Sequence, residues 1–210
     1  MEKKKNISMA VIRRLPKYHR YLNELVKNDV DRISSKELSE KIGFTASQIR
    51  QDLNCFGDFG QQGYGYNVKE LCKEIDAILG LTKEYNTIIV GAGNIGQAIA
   101  NYINFEKLGF SLKGIFDINP KLLGLKIHDI EIQDIDNVDA FLKNNNINIA
   151  IICVPRKSAQ KVAEIIIKNN VKGIWNFAPV DLVTPDDVIV ENVHLSDSLL
   201  TLSCLLKDKI

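Results

Sequence analysis

The sequence predicts an α/β protein with a small helical N-terminal domain, a larger parallel-sheet domain and a C-terminal helix. Apolar residues recur at three- and four-residue spacing through the first 80 positions. β-Branched runs then alternate with helical segments, a pattern typical of a parallel sheet with crossover helices. The final stretch is rich in leucine. These observations place the three parts at 1–82, 83–192 and 193–210.

Charge is distributed unevenly along a chain whose composition is that of a globular protein. The 210 residues are 45% hydrophobic and carry a formal net charge of +1. Residues 1–82 contain 14 Lys and Arg against 11 Asp and Glu, whereas residues 83–210 contain 13 against 15. The basic excess fits either a solvated tail or a surface that faces phosphates. No membrane span or signal peptide is recognised, so we expect a cytoplasmic protein.

Two short capped helices occupy the middle of the N-terminal part. Ser34 or Ser35 can cap the first helix, and Gly43 is a suitable stop. Thr45 can cap the second helix, which we predict over 46–56. Two such helices around a glycine-containing turn are typical of a helix-turn-helix.

The second helix of this pair would lie in the major groove of DNA. Arginine can make two hydrogen bonds to guanine, and glutamine two to adenine. The alternative is a structural helix pair whose polar face meets water. We predict DNA contacts from a set of polar and glycine residues: Lys17, Ser35, Lys36, Thr45, Ser47, Gln48, Arg50, Gln51, Gly63 and Tyr64.

Flanking segments complete a winged helix-turn-helix domain. A helix is predicted over 9–27, with a restart at Pro16, because proline is tolerated in a helix's first turn. Glycines alternate with aromatic residues over 56–68, which predicts a compact hairpin or wing rather than a flexible linker. Another helix is predicted over 68–81.

A glycine-rich turn opens the second part of the chain. A β-branched run stops at Gly91, and Gly93 and Gly96 complete the spacing G-x-G-x-x-G before a helical pattern. Gly91 can make the tight strand-to-helix turn, and Gly96 lets the helix pack close to the strand. Gly93 lacks a Cβ, so a pyrophosphate can approach the backbone. The pattern predicts a Rossmann-type dinucleotide-binding domain.

An acidic residue stands where the adenosine ribose would be held. Asp117 ends the next predicted strand, 112–117, and follows Gly96 by 21 residues. Its carboxylate would accept from the ribose hydroxyls and repel a 2′-phosphate, which favours NADH / NAD+ over the phosphorylated coenzyme. The alternative is an ordinary glycine turn with an ordinary surface aspartate.

The remaining strands and loops complete the predicted cofactor site. Strands are predicted at 147–153 and 172–175, and ligands of such sheets bind beyond the carboxyl ends of the strands. The loops at 154–156 and 176–180 would therefore frame the nicotinamide, while Trp175 is interpreted as core packing. The predicted cofactor-binding residues are Gly91, Ala92, Gly93, Asn94, Ile95, Gly96, Asp117, Val154, Pro155, Asn176, Phe177, Ala178 and Pro179.

No persuasive acid–base set accompanies this cofactor site. His19, His128 and His194 lie in separate sequence contexts with no partner motif. Cofactor binding without chemistry indicates a sensor rather than an enzyme. The rivals are a small NAD-dependent oxidoreductase and an architectural DNA-binding protein with a structural dinucleotide. The four separated cysteines fit reduced side chains, with Cys153 as a candidate thiol sensor beside the cofactor.

The C-terminal segment 195–206 has leucines on more than one helical face. It would pack either in its own domain or on a second copy of the chain. A two-fold homodimer is also what a palindromic DNA operator needs.

Taken together, these motifs resemble those of the Rex family of redox-sensing transcriptional repressors over essentially the whole chain. The segments that carry the resemblance are SQIRQDL at 47–53, FGDFG at 56–60, GYGY at 63–66, the glycine turn at 91–96, FDINP at 116–120, VPR at 154–156, NFAPV at 176–180 and ENV at 191–193. The resemblance implies a winged-helix domain, an NAD(H)-binding Rossmann domain and a homodimer with a swapped C-terminal helix. It also implies repression that is relieved when NADH rises.

Three positions need separate treatment within this resemblance. Gln51 stands where the family commonly has lysine, which leaves Arg50 as the main cation of the reading helix. The residues that communicate between the family's domains map onto Arg14 and Tyr102. Their acidic partner is replaced by His194, which predicts either altered sensitivity to pH and NADH or a neutral variation compensated nearby.

Overall fold

The computed structural model describes residues 7–57, 60–61, 64–102, 104–207 and 209. The chain divides into two compact units, Met1–Lys83 and Glu84–Ile210. Among the described helices, none is both long enough and apolar enough to cross a bilayer.

The first unit contains five helices and three short strands within its described residues. In chain order these are α1 (Met9–Ile12), α2 (Leu15–Lys27), β1 (Arg32–Ile33), α3 (Ser35–Ile42), α4 (Ala46–Asn54), β2 (Gly60–Gln61), β3 (Gly65–Asn67) and α5 (Val68–Ile78). The predicted restart is confirmed, since α2 begins with Pro16 in its first turn. The three strands form an antiparallel sheet in the order β1-β3-β2.

Local capping explains where the helix pair begins and ends. Ser34 caps α3 through a capping box, in which its hydroxyl accepts from the Glu37 N–H while the Glu37 carboxylate accepts from the Ser34 N–H. Gly43 ends α3 in a left-handed conformation with φ +71°. The Thr45 hydroxyl caps α4. The sequence left Ser34 and Ser35 as alternatives, and the structure selects Ser34.

The predicted wing is present as the β2–β3 hairpin. Residues 58–59 and 62–63 lie outside the described residues, so the predicted DNA contact Gly63 has no structural account here. The sequence did not predict β1, which pairs with β3. Gly65 permits this pairing, because a Cβ there would lie 2.6 Å from the Ile33 carbonyl oxygen.

The second unit is built on a seven-stranded sheet. Its elements are β4 (Tyr85–Val90), α6 (Asn94–Ala100), α7 (Asn104–Lys107), β5 (Phe110–Asp117), β6 (Lys126–Ile127), β7 (Ile130–Asp134), a 3₁₀ helix (Ile135–Asn137), α8 (Val138–Asn144), β8 (Ile149–Ile152), α9 (Arg156–Lys168), β9 (Gly173–Asn176), β10 (Ile189–Asn192) and α10 (Leu195–Leu206). The strand order is β10-β9-β8-β4-β5-β7-β6, and only the edge strand β6 is antiparallel. The six parallel strands follow the Rossmann order, which confirms the predicted fold class.

Two parts of this unit differ from the prediction. The helical pattern predicted after the glycine turn forms two helices, α6 and α7, rather than one. The β6–β7 hairpin was not predicted at all. Its apolar residues, Ile127, Ile130 and Ile132, are separated by charged residues and are too few to establish a period from sequence.

The core and the C-terminal helix have contrasting burial. Ile88, Val90 and Phe116 belong to the buried cluster on one face of the sheet, whereas Ile89 and Ile115 belong to the cluster on the other face. In contrast, α10 buries none of its twelve residues within this chain.

Candidate functional site

The glycine turn lies where the strand order reverses between β4 and β8. Gly91 has φ +101°, and a Cβ there would come within 2.5 Å of the Cys153 carbonyl oxygen at the end of β8. A Cβ on Gly96 would overlap the Gly91 carbonyl oxygen. Gly93 is different, because a Cβ added there would have no atom within 4 Å. Two glycines therefore permit close packing, while the third leaves open space for a ligand.

The neighbours of these glycines complete this face of the site. Ala92 is buried, whereas Asn94 and Ile95 are exposed. Gly93 itself is exposed, so backbone of the turn faces the open space, as pyrophosphate binding requires.

Asp117 is fixed beside the glycine turn. One carboxylate oxygen accepts from the Ala92 N–H at 2.5 Å, and the other accepts from the Asn119 N–H at 2.7 Å. Each carboxylate oxygen has a further lone pair that could accept from a ribose hydroxyl. The structure therefore brings together the predicted glycines and the predicted acid.

The second edge of the site is formed after β8 and β9. Val154 is buried, and Pro155 precedes α9. Ala178 is buried, while Pro179 is exposed. Phe177 packs edge-on against the half-buried Trp175, with ring centroids 4.6 Å apart.

Asn176 is fully buried and its side-chain amide is occupied by protein partners. Its Nδ2 donates to the Val180 carbonyl at 2.7 Å and to Asn192 Oδ1 at 2.8 Å. Its Oδ1 accepts from the Ala178 N–H at 3.0 Å. The side chain therefore holds the shape of the 176–180 loop.

Cys153 lies next to this edge. Burial raises the pKa of its thiol to about 12. The thiol is therefore protonated at neutral pH, which argues against a reactive redox sensor, because the thiolate is the reactive form.

Helix α4 of the first unit, the second helix of the predicted helix-turn-helix, is anchored by a buried carboxylate. Asp52 is 0% exposed and accepts from Arg14 Nε at 2.6 Å and from Arg14 Nη2 at 2.7 Å. The Tyr18 hydroxyl and Gln48 Nε2 also donate to it, each at 2.8 Å. Burial alone would raise the pKa of Asp52, but these donors from Arg14, Gln48 and Tyr18 together hold that pKa below its usual value. Sequence reasoning missed Asp52, although an acid among the inward positions of an amphipathic helix is a usable signal.

Several of the predicted DNA-contacting residues lie on α4, the helix that carries this anchor. Ser47, Arg50 and Gln51 are exposed on α4, and Arg50 donates to the Ser35 hydroxyl at 2.9 Å. Lys17 Nζ lies 4.8 Å from the centre of the Phe44 ring.

The other predicted DNA-contacting residues differ in how far their side chains are exposed to solvent. Lys36 is exposed, and Thr45 is exposed although its hydroxyl caps α4. Gln48 is half-buried because its amide donates to Asp52. Tyr64 is 70% exposed. Most of this set is therefore accessible to a ligand of the first unit.

The three residues assigned to communication between domains have partners within their own units. Arg14 is bound by Asp52. Tyr102 is exposed, with its ring 4.8 Å from that of Phe105. His194 Nε2 lies 3.4 Å from Asp181 Oδ1. The communication role of Arg14, Tyr102 and His194 stays a prediction.

A cavity of about 660 Å³ lies apart from the glycine turn, on one face of the sheet of the second unit. Its walls are mainly apolar and include Thr87, Ile89, Leu112, Ile149, Ile151 and Trp175. Tyr102 and Phe105 also line it. An uncovered apolar face of this kind is typical of an interface.

Comparisons with known proteins cover both units. A family model described as "CoA binding domain" matches residues 82–180, and one described as "Putative DNA-binding protein N-terminus" matches residues 6–54. The redox-sensing transcriptional repressor Rex of Clostridium acetobutylicum is 81% identical over 208 residues, which are 99% of this chain and 97% of that protein. The Rex repressor of Clostridium botulinum is 75% identical over 206 residues, which are 98% of each chain.

Solved structures of RSP, a Rex-family repressor, are also similar to this chain. RSP in complex with β-NAD+ and operator DNA is 65% identical with a TM-score of 0.92, over 98% of this chain and 94% of that chain. RSP in complex with β-NADH is 62% identical with a TM-score of 0.90, over 98% of this chain and 96% of that chain. This chain belongs to the Rex family of redox-sensing transcriptional repressors.

Proposed function

We propose that this protein binds a palindromic operator as a homodimer and releases it when NADH binds to the second unit. One observation carries the proposal: the same chain has an exposed reading helix and a glycine turn with open space at Gly93, beside which Asp117 is fixed. The similarity to RSP, which has been solved with NAD+ and operator DNA and with NADH, supports the same combination. Family membership makes the protein a regulator rather than an enzyme.

On the DNA side, α4 is suited to the major groove. Its inner face is fixed by Asp52, and its outer face presents Arg50 and Gln51 to solvent. Base reading needs a rigid helix with exposed side chains that can each form two hydrogen bonds to one base. Lys17 and Lys36 would contact phosphates, which gives affinity without sequence preference. Because the chain belongs to a family of DNA-binding repressors, we place the protein in the cytoplasm.

On the cofactor side, the open space at Gly93 would take the pyrophosphate and Asp117 the adenosine ribose. The loop at Phe177, Ala178 and Pro179 would flank the nicotinamide. This loop is largely apolar, and NAD+ carries a cationic nicotinamide whereas NADH carries a neutral one. Desolvation of the cation therefore favours NADH in this place.

The homodimer would use the face that this chain leaves uncovered. α10 exposes Leu195, Leu199, Leu200, Leu202, Leu205 and Leu206. The apolar cavity of the second unit offers a complementary surface for α10 of a second copy. A two-fold arrangement places two reading helices on the two halves of a palindrome.

Operator binding at one fixed salt concentration, with NADH and NAD+ varied separately, tests this function. We expect NADH to weaken operator binding by about tenfold or more, within the usual range of coupling between sites. Asp117→Ala should remove the response, because the ribose loses its acceptor. Asp136→Ala, at an exposed carboxylate outside the site, is the matched control. Operator affinity that is indifferent to NADH would favour the architectural DNA-binding alternative.

A further inference from the structure

The 176–181 loop is bonded directly to the residues that lead into α10. We call Asn192, Val193 and His194 the root of the C-terminal helix. Asn176 Nδ2 donates to Asn192 Oδ1 at 2.8 Å, and the Val193 N–H donates to the Asn176 carbonyl at 2.8 Å. Asp181, at the other end of the loop, lies 3.4 Å from His194.

The Asn176 side-chain amide forms hydrogen bonds with both the loop and the root. Besides its bond to Asn192, it bonds Val180 and Ala178 within the loop. Because Asn176 is fully buried, a displaced loop would leave polar groups of this amide without partners. An unsatisfied buried polar group costs about 1–3 kcal/mol, so the loop and the root are expected to move together.

The chain just after this loop is bonded to α9 rather than to the root. The Val183 N–H donates to Gln160 Oε1 at 3.0 Å, and Gln160 Nε2 donates to the Val183 carbonyl at 3.0 Å. These two bonds attach Val183 to α9. We therefore expect any movement of the loop to end before Val183 and to involve 176–181, the segment that is bonded to the root.

α10 itself provides little resistance to such a movement within this chain. None of its twelve residues is buried, so its direction depends on the root from which it starts. A small rotation at Asn192 would be amplified along a helix of about 18 Å, since each residue adds 1.5 Å.

We propose that Asn192 is a positioning residue that transmits changes of the 176–181 loop to the C-terminal helix. The proposal rests on the proposed function, in which this loop flanks the nicotinamide and α10 docks on a second copy. Asn192 is half-buried on the edge strand β10 and is not among the predicted cofactor contacts. Its contribution is therefore separable from cofactor binding.

The test compares two substitutions at Asn192 in the full-length protein. Asn192→Leu removes the acceptor of the Asn176 amide, whereas Asn192→Asp keeps an acceptor oxygen there. The quantity measured is the coupling factor, which is the operator Kd with saturating NADH divided by the operator Kd without NADH. Asn144→Leu is the matched control, because the exposed Asn144 amide donates to Ala140 of its own helix and to no other residue that the structure describes.

We expect Asn192→Leu to reduce the coupling factor at least about fivefold. The Kd for NADH without DNA and the Kd for DNA without NADH should each stay within about twofold of the unsubstituted protein. Asn192→Asp and Asn144→Leu should keep the coupling factor of the unsubstituted protein. A coupling factor that Asn192→Leu leaves unchanged would overturn the proposal. A coupling factor near one in the unsubstituted protein would instead overturn the proposed function, and this inference with it.

Hydrogen exchange of the unsubstituted protein gives a second measurement that does not depend on the folding of a variant. We expect NADH to change amide exchange both in 176–181 and in α10. A change in the loop without any change in 193–206 would show that the root does not transmit it.

Discussion

The two functional regions of this chain are built in opposite ways. In the first unit, a charged carboxylate, Asp52, is buried and saturated by side chains so that α4 is held in place. In the second unit, the glycine turn depends on the absence of side chains at Gly91, Gly93 and Gly96. Base reading requires side chains projected from a rigid frame, whereas pyrophosphate binding requires exposed backbone.

This difference determines which substitutions should disrupt each region. The first unit is sensitive to the loss of a side chain, and the glycine turn is sensitive to the gain of one. Four predictions test this contrast, from the largest expected effect to the smallest.

Substitutions in the glycine turn should change the free energy of unfolding most, and two glycines of the same turn can be compared with each other. Gly96→Ala places a methyl group against the Gly91 carbonyl, so we expect a loss of about 4 kcal/mol or more in the free energy of unfolding. Gly93→Ala meets open space, so stability should change by less than about 1 kcal/mol. NADH affinity should nevertheless fall about tenfold or more in Gly93→Ala, because its methyl group occupies the ligand's place. Calorimetric unfolding and NADH titration measure the two quantities, and equal stability of both variants would contradict the assignment.

Asp52→Asn should give the next largest effect, in the first unit. The substitution keeps the side-chain volume but leaves Arg14 without its charge partner. We expect the free energy of unfolding to fall by about 3 kcal/mol, the lower end for a broken buried pair, because the Arg14 side chain is 22% exposed. Glu40→Gln, at an exposed acid of α3, is the control. A loss no larger than that of the control would mean that the Asp52 cluster does not stabilise the unit.

Arg50→Ala should weaken operator binding by about 1–3 kcal/mol, because one bidentate base contact is lost. Its guanidinium is exposed and donates only to Ser35 among the described hydrogen bonds, so stability and NADH binding should not change. Lys69→Ala provides the comparison with an exposed cation outside the predicted DNA-contacting set. Normal operator affinity of Arg50→Ala would show that α4 does not read the groove as proposed.

Acid should weaken the first unit by a smaller amount before complete unfolding. Hydrogen bonds from Arg14, Gln48 and Tyr18 outweigh burial and lower the pKa of Asp52 in the folded state. Its contribution is therefore present at neutral pH and is lost as pH falls below its usual value of 3.8 toward the lowered pKa. The difference in unfolding free energy between the unsubstituted protein and Asp52→Asn should shrink over that range. A difference that is independent of pH would contradict this account.

The sequence was sufficient for features that depend on neighbours along the chain. Ser34, Gly43 and Thr45 act on residues three or four positions away, so local rules located the helix pair. Gly91 and Gly96 belong to a local turn whose spacing is recognisable by itself. The fold class followed from the alternation of strands and helices.

Other features depend on residues that are distant in sequence. The Asp52 cluster joins residues 38 positions apart, and the Asn176–Asn192 bond joins residues 16 positions apart. Neither pair has a spacing rule, so sequence reasoning assigned Arg14 to communication and Asn176 to the cofactor without finding their partners. The β6–β7 hairpin was missed for a related reason, since its strands are too short to show a period.

The amino-acid sequence alone determined the position of helix α4, the glycine turn with its acid, and the family that these motifs indicate. Only the tertiary structure decided which groups hold these elements: a buried carboxylate under α4, and one amide shared by the 176–181 loop and the root of the C-terminal helix. The physical reason is that caps and turns satisfy backbone groups within a few residues, whereas a buried polar side chain must find its partners wherever the folded chain places them.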